Sequence, residues 1–229
     1  VRWMRQGQVV DLIVKFSGAD GSPAVQRWSD LLVCEHLGLE SFSQLGVLAA
    51  TSAIVRACGR TFFEVERFDR HGESGCSPVC TLASINAALI GSAAAPWPRT
   101  ARRLHARGWL TAEDLARIDL VWSFRRLIGN TDMHEGNLAF RPGLRLAPVY
   151  DMLPMLYAPL RGGELPARAF SVEPPLPGEA ATWRRAAPAA ADYWRNCAED
   201  TRISDDFRRI CAENAGRIER FLDSCHASC

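Results

Sequence analysis

Asp132 and Asn137 stand five residues apart in GNTDMHEGNLAF (Gly129 to Phe140), directly after an amphipathic helical pattern. Phosphoryl transfer to a hydroxyl needs a carboxylate to accept the hydroxyl proton. It also needs a neutral oxygen to hold a hard cation beside the phosphates, and D-x-x-x-x-N is the spacing at which one loop supplies both. Asp151 follows in VYDMLP, after two short strand-like pieces, and offers the anionic ligand such a cation requires. Lys15 is the fourth candidate: of the 27 Lys and Arg residues it is the single lysine, set in the apolar run VVDLIVKF. Lys, Asp, Asn, Asp, in that order along the chain, are what an ATP–Mg²⁺ site shared between two lobes requires.

Each of these residues also has a plain structural reading. Asp and Asn are common turn residues, and a strand-edge lysine can carry its amine out to water. His134 suits a hydrogen-bonded core position, and Asp132-x-His134 lacks a third metal ligand at suitable spacing. The joint, ordered occurrence of all four favours the chemical reading.

The elements that must position them follow from periodicity. Val9 to Phe16 is β-branched and reads as a strand; Pro23 opens a helical pattern through Trp28, Leu31, Leu32, Glu35 and His36. Short strands at Ala53–Val55 and Phe62–Val65 flank Cys58-Gly59-Arg60, a hairpin signal. A Gly/Ser/Cys loop covers residues 71–78, and Leu82 to Leu89 reads as a short helix that AAAPWP interrupts. Thr111 with Glu113 and Asp114 caps a helix carrying Leu115, Ile118 and Trp122, which stops at Gly129. Leu138–Phe140 and Leu144–Leu146 turn at Pro142-Gly143, and a last helix starts near Ser204 with Phe207, Ile210, Cys211, Ile218, Phe221 and Leu222 on one face. The expected architecture is α+β and two-lobed, with residues 1–68 in a smaller sheet-bearing lobe and 69–229 in a larger, mainly helical one.

Composition excludes several classes. With 229 residues, 48% hydrophobic and 23% charged, the chain is an ordinary globular sequence. A net charge of +1 gives no electrostatic footprint for direct nucleic-acid or membrane binding, and no apolar run approaches a bilayer span. The eight cysteines lack paired C-x2-C spacing. Cys34, Cys58, Cys197 and Cys211 sit singly in mostly apolar or helical patterns as small hydrophobes, while Cys76 with Cys80, and Cys225-His226 with Cys229, form loose clusters. Reduced thiols imply a cytoplasmic location.

GNTDMHEGN resembles the catalytic loop of HipA-like kinases, the toxin components of bacterial toxin–antitoxin pairs. FEVERFDR (Phe63 to Arg70) resembles that family's lobe junction, LIVKF its lysine strand, and PVYDMLP its metal-binding aspartate. RWSDLLVCEHL and YDMLPMLYAP look closest to the YjjJ-like branch. The resemblance covers roughly residues 9–160. It implies a protein-kinase-like fold and transfer of the ATP γ-phosphoryl group to a protein serine or threonine. It further implies that Lys15 contacts the phosphates, that Glu66, Arg67 and Phe68 hold adenine through backbone groups, and that Asp132 is the base. His134, Glu135, Gly136 and Asn137 would line the nucleotide site, and Tyr150 and Asp151 would close it, with Asn137 and Asp151 on Mg²⁺. Glu35 or Asp30 would pair with Lys15. A protein substrate, an aminoacyl-tRNA synthetase for some members, and an antitoxin partner are implied as well. The competing readings are a non-catalytic module that binds an antitoxin and a small-molecule phosphotransferase of the same fold.

The family's glycine-rich phosphate loop should precede the lysine strand, yet VRWMRQGQ offers only Gly7. The sequence is therefore expected to be a piece of a longer protein and, by itself, to bind ATP poorly. Equal, tight binding by this piece and by a version extended upstream would contradict that expectation.

Overall fold

The computed structural model describes residues 1–5 and 8–227. Gly7, Cys229 and the side chains of Cys225 and His226 lie outside the described residues, so the cysteine cluster read at the tail lies there too.

The strand that carries Lys15 is β2 (Gln8–Phe16), and it lies inside a sheet. It pairs antiparallel with β1 (Arg2–Arg5) on one side and with β4 (Arg60–Glu66) on the other; β3 (Ser52–Ala57) completes the order β1-β2-β4-β3. The β3–β4 turn is the expected hairpin. Ala57 faces Arg60 across it, and Cys58 (φ 51°) and Gly59 (φ 71°) both take the left-handed conformation a two-residue hairpin turn demands. Register puts Lys15 opposite Phe63 and Ile13 opposite Val65, so these four share one face. Helix α1 (Pro23–Ser41) packs near that face. Its start is set by Ser22, whose Oγ accepts the Val25 N–H at 3.3 Å, and by Pro23 in the first turn, where no amide donor is needed.

The Gly/Ser/Cys stretch contains a minimal hairpin, β5 (Arg70–His71) with β6 (Gly75–Cys76). The short helix expected over Leu82–Leu89 is α2 (Leu82–Ile85) followed by a π-helical turn, Asn86–Ile90, which ends at Gly91 with φ 71°. AAAPWP does break that helix, but it also opens another. Helix α3 (Trp97–Ala106) starts there because Pro98 falls in its first turn. Helix α4 (Ala112–Leu127) is capped by Thr111, whose Oγ1 accepts the Asp114 N–H at 3.0 Å, and Gly129 (φ 66°) ends it. Strands β7 (Cys80–Thr81), β8 (Ala139–Arg141) and β9 (Arg145–Leu146) form a second small sheet.

Helix α5 (Ala180–Glu199) has no counterpart in the sequence reading; its alanines pack tightly at Ala186, Ala187, Ala190 and Ala191, all at most 2% exposed. Helix α6 (Asp205–Ala227) is the expected last helix, with Phe207, Cys211 and Ile218 buried. Trp194 of α5 donates its indole N–H to Leu127 O at 2.9 Å. That bond bolts the C-terminal end of α4, from which the Asp132 loop departs. No helix among the described residues is long and apolar enough to cross a membrane.

Candidate active site

Lys15 enters a cleft between the four-stranded sheet and the helical part of the chain. Its Nζ lies 2.8 and 2.9 Å from the two oxygens of Glu35, on α1, and 2.6 Å from Oδ1 of Asp151. Of the two acids named as partners for Lys15, Glu35 is the one that pairs. Asp30 turns to the start of α6, accepting the Ser204 N–H at 2.8 Å and the Ser204 hydroxyl at 2.7 Å. Burial would by itself depress the Lys15 ammonium, but Glu35 and Asp151 outweigh it and raise its pKa above the ordinary value. Glu35 is 1% exposed, and burial pushes its carboxyl up to about 7 against the pull of Lys15.

That shift has a sign. Because its folded-state pKa lies above that of free glutamate, Glu35 stabilises the fold fully below about pH 4.5, and the contribution is lost as the pH rises through 7. Denaturant titrations should show a decline of the order of 3 kcal/mol from this group across that window. Glu35→Gln should lack this part of the decline; superimposable pH profiles would contradict the assignment.

Asp151 has φ 62°, an uncommon left-handed conformation for a residue with a Cβ. Such strain persists where surroundings enforce it, and it concentrates at functional positions. What enforces it is Asn130, which sequence reasoning passed over. Asn130 is 2% exposed; its Nδ2 donates to Asp151 O at 3.0 Å and its Oδ1 accepts the Asp132 N–H at 3.1 Å. One amide therefore sets the distance between the two aspartates. Its signal was present in the sequence as a polar residue beside Gly129, but nothing there indicated burial. Asn130→Ala should cost about 1–3 kcal/mol of stability and misplace both aspartates, which thermal unfolding and turnover would each report. Unchanged turnover would contradict the positioning role.

The rest of the loop divides. Asn137, 7% exposed, donates from Nδ2 to Asp132 O at 2.8 Å, which leaves its side-chain oxygen for another partner. Tyr150 donates its hydroxyl to Gly136 O at 2.8 Å and stacks obliquely on Phe68 at 6.0 Å. Burial, helped by Asp151, raises the Tyr150 phenol to about 12, so it remains a neutral donor. His134 is exposed, and its Nδ1 accepts the Gly136 N–H at 3.0 Å, a local cap. Glu135 corrects the sequence expectation. Its carboxylate is turned into the helical part, where Thr100 Oγ1 donates to it at 2.6 Å and Asn86 Nδ2 at 3.0 Å. An acid this buried, at 6% exposure, is held by those donors and does not line the cleft.

Two cavities meet at the Lys15–Asp151 pair. The larger, about 400 Å³, has walls of Ile13, Ala50, Val65, Val79 and Ala139 and reaches Glu66, Arg67 and Phe68 at the end of β4. The smaller, about 260 Å³, lies beside Asp132 and is walled by Phe16, Trp28, Leu32, Leu153 and Met155. An apolar slot with polar groups at one end suits a flat heterocycle carrying a charged tail. Asp151 at that end and, in the neighbouring loop, the side-chain oxygen of Asn137 are both oxygen donors, the kind Mg²⁺ takes.

A small antiparallel sheet with a lysine–glutamate pair to one helix, set over a mainly helical part that carries the Asp132–Asn137 loop, is a protein-kinase-like fold. Two solved structures share it. The Helicobacter pylori proinflammatory kinase CtkA matches with a TM-score of 0.65 at 10% identity, over 96% of this chain and 89% of that one. HipA of Shewanella oneidensis MR-1, solved in complex with HipB and its operator DNA, matches with a TM-score of 0.59 at 18% identity, over 93% of this chain and 58% of that one. The HipA-like C-terminal domain family matches residues 3–220, and the chain belongs to that family. It is 37% identical over 213 residues to Toxin YjjJ of Escherichia coli (strain K12), covering 91% of this chain and 48% of that protein. The chain thus spans about half the length of this curated relative.

Proposed function

We propose that this chain carries the catalytic centre of an ATP-dependent protein serine/threonine kinase. The observation that carries the reading is the convergence of Lys15, Glu35 and Asp151 at the mouth of an apolar cavity, with Asp132 across from it.

The adenine would occupy the larger cavity. The N–H groups of Glu66 and Arg67 already donate to Thr51 O and Asp11 O, at 2.8 and 2.9 Å, so the Phe68 amide is left to meet the base. Asn137 and Asp151 would hold Mg²⁺, which neutralises the phosphate charge when bound. Lys15 would then exchange its contact with Asp151 for the phosphate oxygens while Glu35 keeps it aligned. Asp132 orients the acceptor hydroxyl and takes its proton as the oxygen attacks the γ-phosphorus. The bond from that phosphorus to the β–γ bridging oxygen breaks, and ADP leaves. Most of the acceleration comes from positioning and electrostatics, since there is little covalent chemistry for side chains to perform.

The apolar recess beside Asp132 suits a bulky aliphatic or aromatic side chain next to the acceptor hydroxyl, as a protein segment would present. An aminoacyl-tRNA synthetase as acceptor and an antitoxin as partner are the further expectations that family membership brings. Incubation with γ-labelled ATP and Mg²⁺, in the presence of bacterial extract, should transfer label to protein. The label should be recovered as phosphoserine or phosphothreonine. Label on small molecules alone would overturn the protein acceptor, and no transfer by a chain that binds ATP would favour a non-catalytic role.

A further inference from the structure

The six described cysteines divide sharply. Cys58, Cys76 and Cys80 are exposed, whereas Cys34, Cys197 and Cys211 are each 0% exposed. The buried three come from three different helices, α1, α5 and α6, and their sulfur atoms all lie within 4.8 Å of one another. Read singly, each looked like a small hydrophobe in a helical pattern. Packing brings them to one point.

Two further observations point to a ligand there. Tyr193, 0% exposed and on the same helix as Cys197, turns a buried hydroxyl toward the Cys197 thiol, a weak partner at best, and no nitrogen or oxygen satisfies it. The ionisable groups that act on that hydroxyl are the three cysteines. A buried, unsatisfied polar atom is costly, and one aimed at a cluster of sulfurs calls for an unseen partner. The second observation is Arg27, 8% exposed, whose guanidinium lies 4.2 Å from the Phe207 ring centre and acts on Cys211 and Cys34 as well as Asp30. Its Nε is also without a partner.

We propose that Cys34, Cys197 and Cys211 form a structural site for a thiophilic d¹⁰ cation of the zinc(II) class, with the Tyr193 hydroxyl as fourth donor. Zn–S bonds of about 2.3 Å place tetrahedral sulfurs about 3.8 Å apart, so the cluster needs only a slight contraction. Binding releases the three thiol protons to solvent and leaves three thiolates on one divalent ion. The resulting single negative charge lies within electrostatic reach of the Arg27 guanidinium, which also interacts with Asp30. The site clamps α1 to α5 and α6. Cys34 is followed immediately by Glu35, so the clamp fixes the stretch of α1 that presents Glu35 to Lys15.

The test begins with the unaltered chain, refolded with and without zinc(II), cobalt(II) or cadmium(II). Native mass spectrometry should find about one metal per chain. The cobalt form should show thiolate-to-metal charge transfer in the near ultraviolet, and cadmium NMR should report a sulfur-rich environment. The midpoint of denaturant unfolding should rise with metal. Cys197→Ser should lose both the metal and the charge-transfer band, whereas the paired exchanges Cys76→Ser/Cys80→Ser and Cys225→Ser/Cys229→Ser should keep them. If Cys197→Ser fails to fold, the cadmium spectrum of the unaltered chain and the two paired variants decide the question. A metal-free refolded chain would overturn the proposal. So would metal that survives in a folded Cys197→Ser chain, or that disappears with either paired exchange.

Discussion

Asp132→Ala is expected to lower phosphoryl transfer by about 10²- to 10⁴-fold while leaving ATP affinity nearly unchanged. Its carboxylate makes no hydrogen bond or ion pair among the described residues, so it is free to accept a proton and little is lost structurally by removing it. The loop is held instead by backbone atoms: the Asp132 N–H goes to Asn130 Oδ1, and the Asp132 carbonyl accepts from Asn137 Nδ2. Alanine preserves both. Turnover within a few-fold of the unaltered protein would remove Asp132 from the chemistry.

Asp151→Asn should act on the other half of the site. Asparagine tolerates the left-handed φ of 62°, so the backbone has no reason to move. What changes is charge. A neutral amide is a poorer ligand for a hard cation, and Lys15 loses one of its two carboxylate partners. The Mg²⁺-dependent part of ATP affinity should fall by about 10- to 100-fold, the size of one charge-assisted contact. The same metal dependence in variant and parent would reduce Asp151 to a turn residue. Together the two substitutions separate catalysis from binding: one removes turnover at constant affinity, the other removes affinity.

The parts of the fold that were legible in the sequence are those with a local signal. An apolar, β-branched run marked β2, Cys58-Gly59 marked the turn between β3 and β4, and Thr111 with two following acids marked the start of α4. Helices α3 and α5 were passed over for the opposite reason. Pro98 read as part of a breaker, although it sits in an opening turn where it removes no bond, and the alanines of α5 carry little hydrophobic pattern. Within the site, residue types at fixed spacing named Lys15, Asp132, Asn137 and Asp151 as candidates, and the structure gathers them. Glu135 was misplaced because proximity in a motif says nothing about which way a side chain turns. The Asn130 bond to Asp151 and the meeting of Cys34 with Cys197 and Cys211 are contacts between distant segments, for which one sequence carries no periodic signature.

ATP with Mg²⁺ is proposed to enter the cavity between Lys15, Phe68 and Asp151. Amide hydrogen exchange with and without millimolar Mg²⁺–ATP tests this directly, because it reads every segment at once and requires no acceptor. Added protection is expected at Val9–Phe16, at Glu66–Phe68 and across Val149–Asp151, and it should shrink when Mg²⁺ is withdrawn. Saturable nucleotide binding that leaves those three segments unchanged, or that protects a different surface, would contradict the claim.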